Sequence, residues 1–289
     1  MTDARPPAPA IDDGPAITPA TLAAGAYAIV TAAVLDEKIE CAHATAKAWF
    51  ARRLDTAILS KPYAMPDHPG RPERPELRPP RDMPRRSSHG LRGRYALLHA
   101  LAHIELNAVD MTWDLIARFA HQQMPRAFYD DWVQVGLEEA KHFKMLSKRL
   151  VELGDGYGDL PAHDGLWQAA HATGHDLLAR LAIVPLILEA RGLDVTPAMI
   201  DNLKKAGDLD SAQIIEVIYR DEKRHVAFGM KWFRFLCQRA GLPLEATFHR
   251  LVRDNFRGPL KPPFNETARS EAGLTPGFYK PLTALGAPP

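Results

Sequence analysis

The chain has 289 residues, a formal net charge of +1 and 46% hydrophobic residues. That is material for one large or two small domains with a sizeable core, and the near-neutral balance argues against a general polyanion-binding protein. The two cysteines, Cys41 and Cys237, show no metal-type spacing, so the chain reads as cytoplasmic and reduced rather than disulfide-framed.

Residues 1–18 are rich in Pro, Ala and Asp and read as a flexible arm without the basic-then-apolar order of a secretion signal. The apolar run 22–35 is too short to span a bilayer and is followed at once by Asp36, Glu37 and Lys38. An N-terminal helical segment is expected over 19–56, with helix from Pro19 to about Leu54 and Thr18 as cap. Prolines interrupt 57–90, which reads as a Pro/Arg-rich linker. Across 61–96, eight Arg and one Lys face four acids, and such a stretch is expected to wrap a surface.

The core is expected over 91–257. Residues 91–120 carry Leu98, Leu101, Ala102, Leu106, Val109, Trp113 and Ile116 at helical spacing. Pro125 opens a second helix running to about Leu153, where Gly154, Gly156 and Gly158 break the pattern. A third is expected over 169–191, kinked at Pro185 and ended by Gly192, with a short helix near 197–206. The fourth spans 209–240, and 244–255 forms one more short helix. The tail, 258–289, is expected to pack as coil on the bundle. No β-type alternation is sustained, so the expected class is all-α, a four-helix bundle with additions at both ends.

Two halves of this core carry one pattern. Glu105 is followed 34 positions later by Glu139, with His142 three beyond; Glu189 is followed 33 positions later by Glu222, with His225 three beyond. Residues three apart share a helical face, so each Glu-x-x-His pair can reach one centre. Their neighbours are apolar, and four converging ionised glutamates would repel one another at a cost of several kcal/mol each in desolvation. Two divalent cations would remove that cost, and a set of carboxylates and imidazoles without thiolates suits iron, manganese or zinc. Glu138 and Asp221 precede the second glutamate of each half and are candidates to orient a ligand histidine. Ala108 and Gly192 stand three residues after the single glutamates, leaving room for dioxygen or substrate.

Other features carry less. Glu40-Cys-Ala-His43 repeats the spacing but has no glutamate about 34 residues upstream, and reads as an ordinary amphipathic face. His99 and His103 point away from Glu105 by helical geometry and are expected to make structural hydrogen bonds, as are His121, His163, His171 and His175. Tyr219 and Trp113 lie within a turn or two of the ligands; Tyr219 is a candidate neighbour of the site, and core packing is the simpler role for both. Arg191, Arg220 and Arg224 are expected in salt bridges to Asp194 or Glu138.

The segments HIELNAVDMTWD, LEEAKHF, LEARGLDVTP and DEKRHVAFG resemble the ferritin-like superfamily of di-iron carboxylate proteins over about 90–260. The nearer resemblance is to a bacterial group of ferritin-like domain proteins, and a more distant one is to a tRNA hydroxylase that oxidises an isopentenyl-modified adenosine. The resemblance implies metal ligation by Glu105, Glu139, His142, Glu189, Glu222 and His225. It implies two Fe ions, with Mn/Fe or Mn/Mn as alternatives. The expected activity is hydroxylation or desaturation of an organic substrate by dioxygen, with a modified nucleoside in tRNA as one candidate. Electrons would come from an external donor, since no Gly-x-Gly-x-x-Gly nucleotide motif occurs. No membrane partner is expected, and the chain would act as a monomer or homodimer. The alternative is metal binding or ferroxidase activity in iron handling, without an organic substrate.

Overall fold

A computed structural model describes residues 20–56, 63–83, 90–257 and 260–283, so the arm over 1–18 and the Thr18 cap lie outside the described residues. Among these residues the fold is all-α, with two isolated bridges in place of any strand. Four rods form the centre. They are α3 (Gly90–Arg118), α4 (Arg126–Glu152), a composite third rod, and α8 (Leu209–Arg239). α3 packs along α4, α4 along α8, and α8 along the third rod. Trp113 of α3 is fully buried against Gly136 of α4, where an added Cβ would sit 2.7 Å from the indole nitrogen. Trp113 therefore packs the seam between two rods.

The N-terminal segment is not one helix. α1 (Leu22–Thr31) and α2 (Leu35–Phe50) are separated by an extended turn and lie on α3 and α4. Tertiary contacts override a locally helix-favouring sequence here. The end of α1 is capped from outside: Lys38 Nζ donates to Ile29 O (3.0 Å) and Val30 O (3.2 Å), and Gly70 N donates to Val30 O (2.8 Å). Thr21 caps the start of α1.

The described part of the Pro/Arg segment wraps the bundle. Gly70 passes so close to α1 that a Cβ would meet Thr31 O at 2.1 Å. Arg71 then donates to Asp164 Oδ1 (2.5 Å) and Asn107 Oδ1 (2.7 Å), tying the wrap to α3 and to the loop after α4.

The third rod departs most from expectation. It begins as α5 (Gly165–Ala172), turns at 173–176, resumes as α6 (Leu177–Ile183), passes through a π-helical turn (Val184–Glu189) and continues as α7 (Ala190–Lys205). Asp176 stops and restarts the helix by accepting from Leu178 N at 2.9 Å. At the expected site of disruption, Pro185 lies in a π-helical turn, and its missing N–H is absorbed in that widened turn. Gly229 of α8 allows this, since a Cβ there would lie 2.6 Å from Pro185 Cβ. Gly192 does not end the helix either. The chain stays helical through Pro197, whose lack of an N–H frees Leu193 O, and Asn265 Nδ2 donates to that carbonyl at 3.2 Å.

α9 (Leu244–Asn255) matches the expected range. The tail is not coil throughout: α10 (Glu266–Glu271) and α11 (Pro276–Tyr279) form two short helices, the first capped by Asn265.

Two wholly buried ion pairs fasten the additions to α3. Lys38 Nζ meets Asp110 Oδ1 at 2.5 Å, and Arg180 Nη1 meets Asp114 Oδ2 at 2.8 Å, all four side chains being fully buried. Arg180 also donates to Thr173 Oγ1 (3.1 Å) and Ala170 O (2.6 Å), so one guanidinium closes the turn between α5 and α6. Arg180→Met would strand Asp114 with Arg118 alone and remove the guanidinium donor from Thr173 Oγ1 and Ala170 O, the latter keeping its bonds from Thr173. We expect a stability loss of about 3–5 kcal/mol, measured as a lower urea midpoint at unchanged slope; a loss under about 1 kcal/mol would mean the pair is dispensable.

Candidate metal centre

Helical spacing turns one face of each rod inward. Glu105 comes from α3, Glu139 and His142 from α4, Glu189 from the last residue of the π turn, and Glu222 and His225 from α8. Glu139, His142 and His225 are fully buried, and Glu105 nearly so. Donor atoms of Glu105, Glu139, His142 and Glu222 all lie within 4.8 Å of one another. His142 Nδ1 is 3.1 Å from Glu105 Oε2 and 3.4 Å from Glu139 Oε2. His225 Nδ1 is 2.9 Å from Glu139 Oε1 and 3.5 Å from Glu222 Oε1. Glu139 thus lies between the two imidazoles. Glu189 stands at the edge of this group, where the charges of Glu222 and Glu139 act on it, and it shares a cavity wall with Glu105 and Glu222.

The donor set fits cations better than it fits itself. Glu139 Oε1, Glu189 Oε2, Glu222 Oε2 and His225 Nδ1 are buried without an aligned hydrogen-bond partner. The 2.9 Å approach of His225 Nδ1 to Glu139 Oε1 is close in distance but misdirected for a hydrogen bond. Donors held about 2.0–2.2 Å from a shared ion would sit roughly 3 Å apart, as these do.

Electrostatics show the same strain. Burial, and then the charge of Glu139, pushes the Glu105 carboxyl up to about 8. Burial and neighbouring glutamates also push Glu189 and Glu222 upward. Glu139 goes the other way: burial opposes its charge, but His225 and His142 outweigh burial and hold it well below the usual range. For His142 burial disfavours the charged ring, yet hydrogen bonds with Asp221, Glu105 and Glu139 raise it to about 11. Without metal the cluster therefore retains protons at neutral pH in the places cations would take.

Behind the histidines the two halves cross over. His142 Nε2 donates to Asp221 Oδ2 of α8 (3.0 Å), and His225 Nε2 donates to Glu138 Oε2 of α4 (2.8 Å). Each acid supports the histidine of the other helix, fixing Nε2–H outward and Nδ1 inward. Lys141 Nζ donates to Asp221 (2.6 Å), Gln134 to Glu138 (2.6 Å), and Arg224 to both acids. Burial resists ionisation of Glu138, but bonds from His225, Arg224 and Gln134 hold its carboxyl down at about 2.

Tyr219 does not join this layer. Its hydroxyl accepts from Asn265 Nδ2 at 3.0 Å and Lys223 lies over its ring, so its contacts run to the C-terminal segment and the surface. His99 and His103 are buried and structural. His99 Nε2 accepts from Gly158 N (3.0 Å), and His103 bonds the Tyr157 hydroxyl (2.7 Å). Arg191 reaches Asp194 and Arg224 reaches Glu138.

Beside the carboxylates lies a cavity of about 190 Å³. Glu105, Glu189 and Glu222 form one wall, and Ala108, Met111, Leu188, Ile215 and Ile218 are among its apolar walls. Gly192 lines it too, and a Cβ there would meet nothing within 4 Å. The open side is thus beside Ala108 and Gly192, where the other two rods carry histidine. Sequence reasoning missed Lys38, Asp110, Asp114 and Arg180, which are scattered in the chain and share no spacing that would signal pairing.

No helix among the described residues is long and apolar enough to cross a membrane. No solved structure matches this chain. A protein of Haemophilus influenzae called "Uncharacterized protein" is 40% identical over 209 residues, covering 71% of this chain and 73% of the relative. The family model described as "Protein of unknown function (DUF455)" matches residues 31–280, and the chain belongs to that family.

Proposed function

We propose that this is a ferritin-like oxidoreductase with a dinuclear metal centre, iron or manganese, that uses dioxygen to hydroxylate or desaturate an organic substrate. The observation that carries the reading is the juxtaposition of the buried Glu/His cluster with an apolar cavity. Glu105, Glu139, His142, Glu189, Glu222 and His225 would hold the two ions. Two such ions would supply dioxygen reduction at the cavity wall, given electrons from an external donor. The chain's own contribution is positional. Asp221 and Glu138 keep the imidazole Nδ1 atoms facing the centre, and apolar side chains exclude bulk water from the cavity. A centre for iron handling needs a polar route for hydrated ions, and apolar walls around the open side favour an organic substrate.

Metal analysis tests the centre directly. Protein purified from iron-replete cells should hold two metal ions per chain, and Glu222→Ala should leave fewer than one while helicity is unchanged. A metal-free wild-type chain would overturn the proposal. Loading should also release protons, because cations displace those held by His142, raised to about 11, and Glu105, raised to about 8. Affinity should therefore rise between pH 6 and pH 8, and calorimetry in two buffers of different ionisation enthalpy should give a positive proton count. Gly192→Phe should retain both ions but fill the cavity, abolishing substrate-dependent oxygen consumption; unchanged consumption would move the substrate elsewhere.

A further inference from the structure

The cavity has a polar feature that the metal centre does not use. Its outer rim is apolar, with Ile104 and Val195 both more than a third exposed. Beside them Arg191 also lines the cavity, with its side chain 40% exposed. Its Nη1 is committed: it donates to Asp194 Oδ2 (3.2 Å), Lys261 O (2.7 Å) and Pro263 O (3.1 Å). These bonds fix the guanidinium at the rim, while Nε and Nη2 have no hydrogen-bond partner among the described residues.

Asp194 does not cancel this charge. Arg269 grips it with two bonds, Nε to Oδ1 at 2.8 Å and Nη2 to Oδ2 at 2.7 Å, and the Arg269 side chain is almost wholly buried. One carboxylate therefore serves two guanidiniums and leaves one positive charge over. Among the described residues no other acid lies within ion-pair distance of Arg191. At the carboxylate wall of the cavity Glu105, Glu189 and Glu222, together with Glu139 behind them, would balance two divalent ions. Between that carboxylate wall and the rim the cavity is mainly apolar, with an unbalanced cation held at its rim.

We infer that the occupant is an anionic amphiphile: a hydrocarbon body inside the cavity and a carboxylate, sulfonate or phosphate head on Arg191. The body is small. About 190 Å³ slightly exceeds the ~150 Å³ apolar cavity that accommodates benzene, so a chain of roughly six to eight carbons fits. The head fixes depth and register, since guanidinium binds such anions directionally, and the far end of the chain is then presented to the carboxylate wall. This deepens the proposed activity and rests on it only in calling the occupant a substrate.

The test is calorimetric binding to the zinc-loaded full chain, which carries no redox chemistry. Octanesulfonate is the probe, because sulfonates coordinate metals weakly, and 1-octanol is the neutral control. Octanesulfonate should bind at least tenfold more tightly than octanol. Arg191→Met should bring the two within twofold, Arg191→Lys should keep most of the preference, and Gly192→Phe should abolish binding of both. Equal binding to the wild type, or a preference that survives Arg191→Met, overturns the anionic head; failure of both probes to bind overturns the amphiphile. Zinc content of the same sample is an independent readout. A chain that holds no zinc yet discriminates through Arg191 refutes the metal centre and leaves this inference standing.

Discussion

Four glutamates meeting in the apolar centre of a helical bundle set the terms for this molecule. Each would forfeit several kcal/mol of hydration, and their mutual repulsion would add to it. The chain offsets only part of this. Two histidines carry protons among the carboxylates, Glu139 stays charged between them, and Glu105, Glu189 and Glu222 are driven towards neutrality. Several donor atoms stay buried without aligned partners. A bundle optimised for stability would place leucine there. Buried carboxylates and imidazoles brought together in this way are a group that could hold a metal ion.

The surrounding scaffold has to hold that cluster rigid, and it does so with uncommon local devices. The π turn over Val184–Glu189 ends on Glu189 itself, and the widened turn decides where that carboxylate falls relative to Glu222. It is seated by the close approach of Pro185 to Gly229 on α8, four residues beyond His225. Position and ligand are therefore coupled through one glycine. On α3, Asp110 and Asp114 anchor Lys38 and Arg180, so the N-terminal hairpin and the α5–α6 turn are both fastened to the rod that carries Glu105.

Much of this was legible from spacing alone. The 33- and 34-residue intervals reflect two antiparallel passes of similar length, and the i, i+3 pairs reflect a single helical face. Glu105, Glu139, His142 and Glu222 do lie together. Long, strongly periodic helices such as α3, α4 and α8 were also readable, because many residues vote for each. The third rod was not. Gly192 and Pro197 carry stop signals that local rules honour, yet both lie inside α7. Asn265, some 70 residues away, supplies the hydrogen bond that Pro197 cannot. The break between α1 and α2 was hidden for the same reason, since Lys38 and Gly70 reach back to cap the last carbonyls of α1 from outside that helix. The α5–α6 turn does carry a local signal, since Asp176 caps the start of α6 and Thr173 takes the bond from Arg180.

The crossed support of the histidines has a geometric consequence. Glu138 serves His225 and Asp221 serves His142, so neither Glu-x-x-His unit is complete on its own helix. Sliding or rotating α4 against α8 would misplace both imidazoles at once. Arg224 bonds both acids and spans the two helices from outside, so the register of α4 against α8 and the aim of the two Nδ1 atoms are fixed by the same contacts. The open side of the centre lies opposite this layer, where Ala108 and Gly192 carry no bulk. Asp221, Glu138 and Arg224 brace the histidine face, whereas Glu189 and Glu222 line the cavity, each with one buried oxygen that has no aligned partner. Rigid support behind and freedom in front are what a centre needs if it must keep its ions while exchanging what binds beside them.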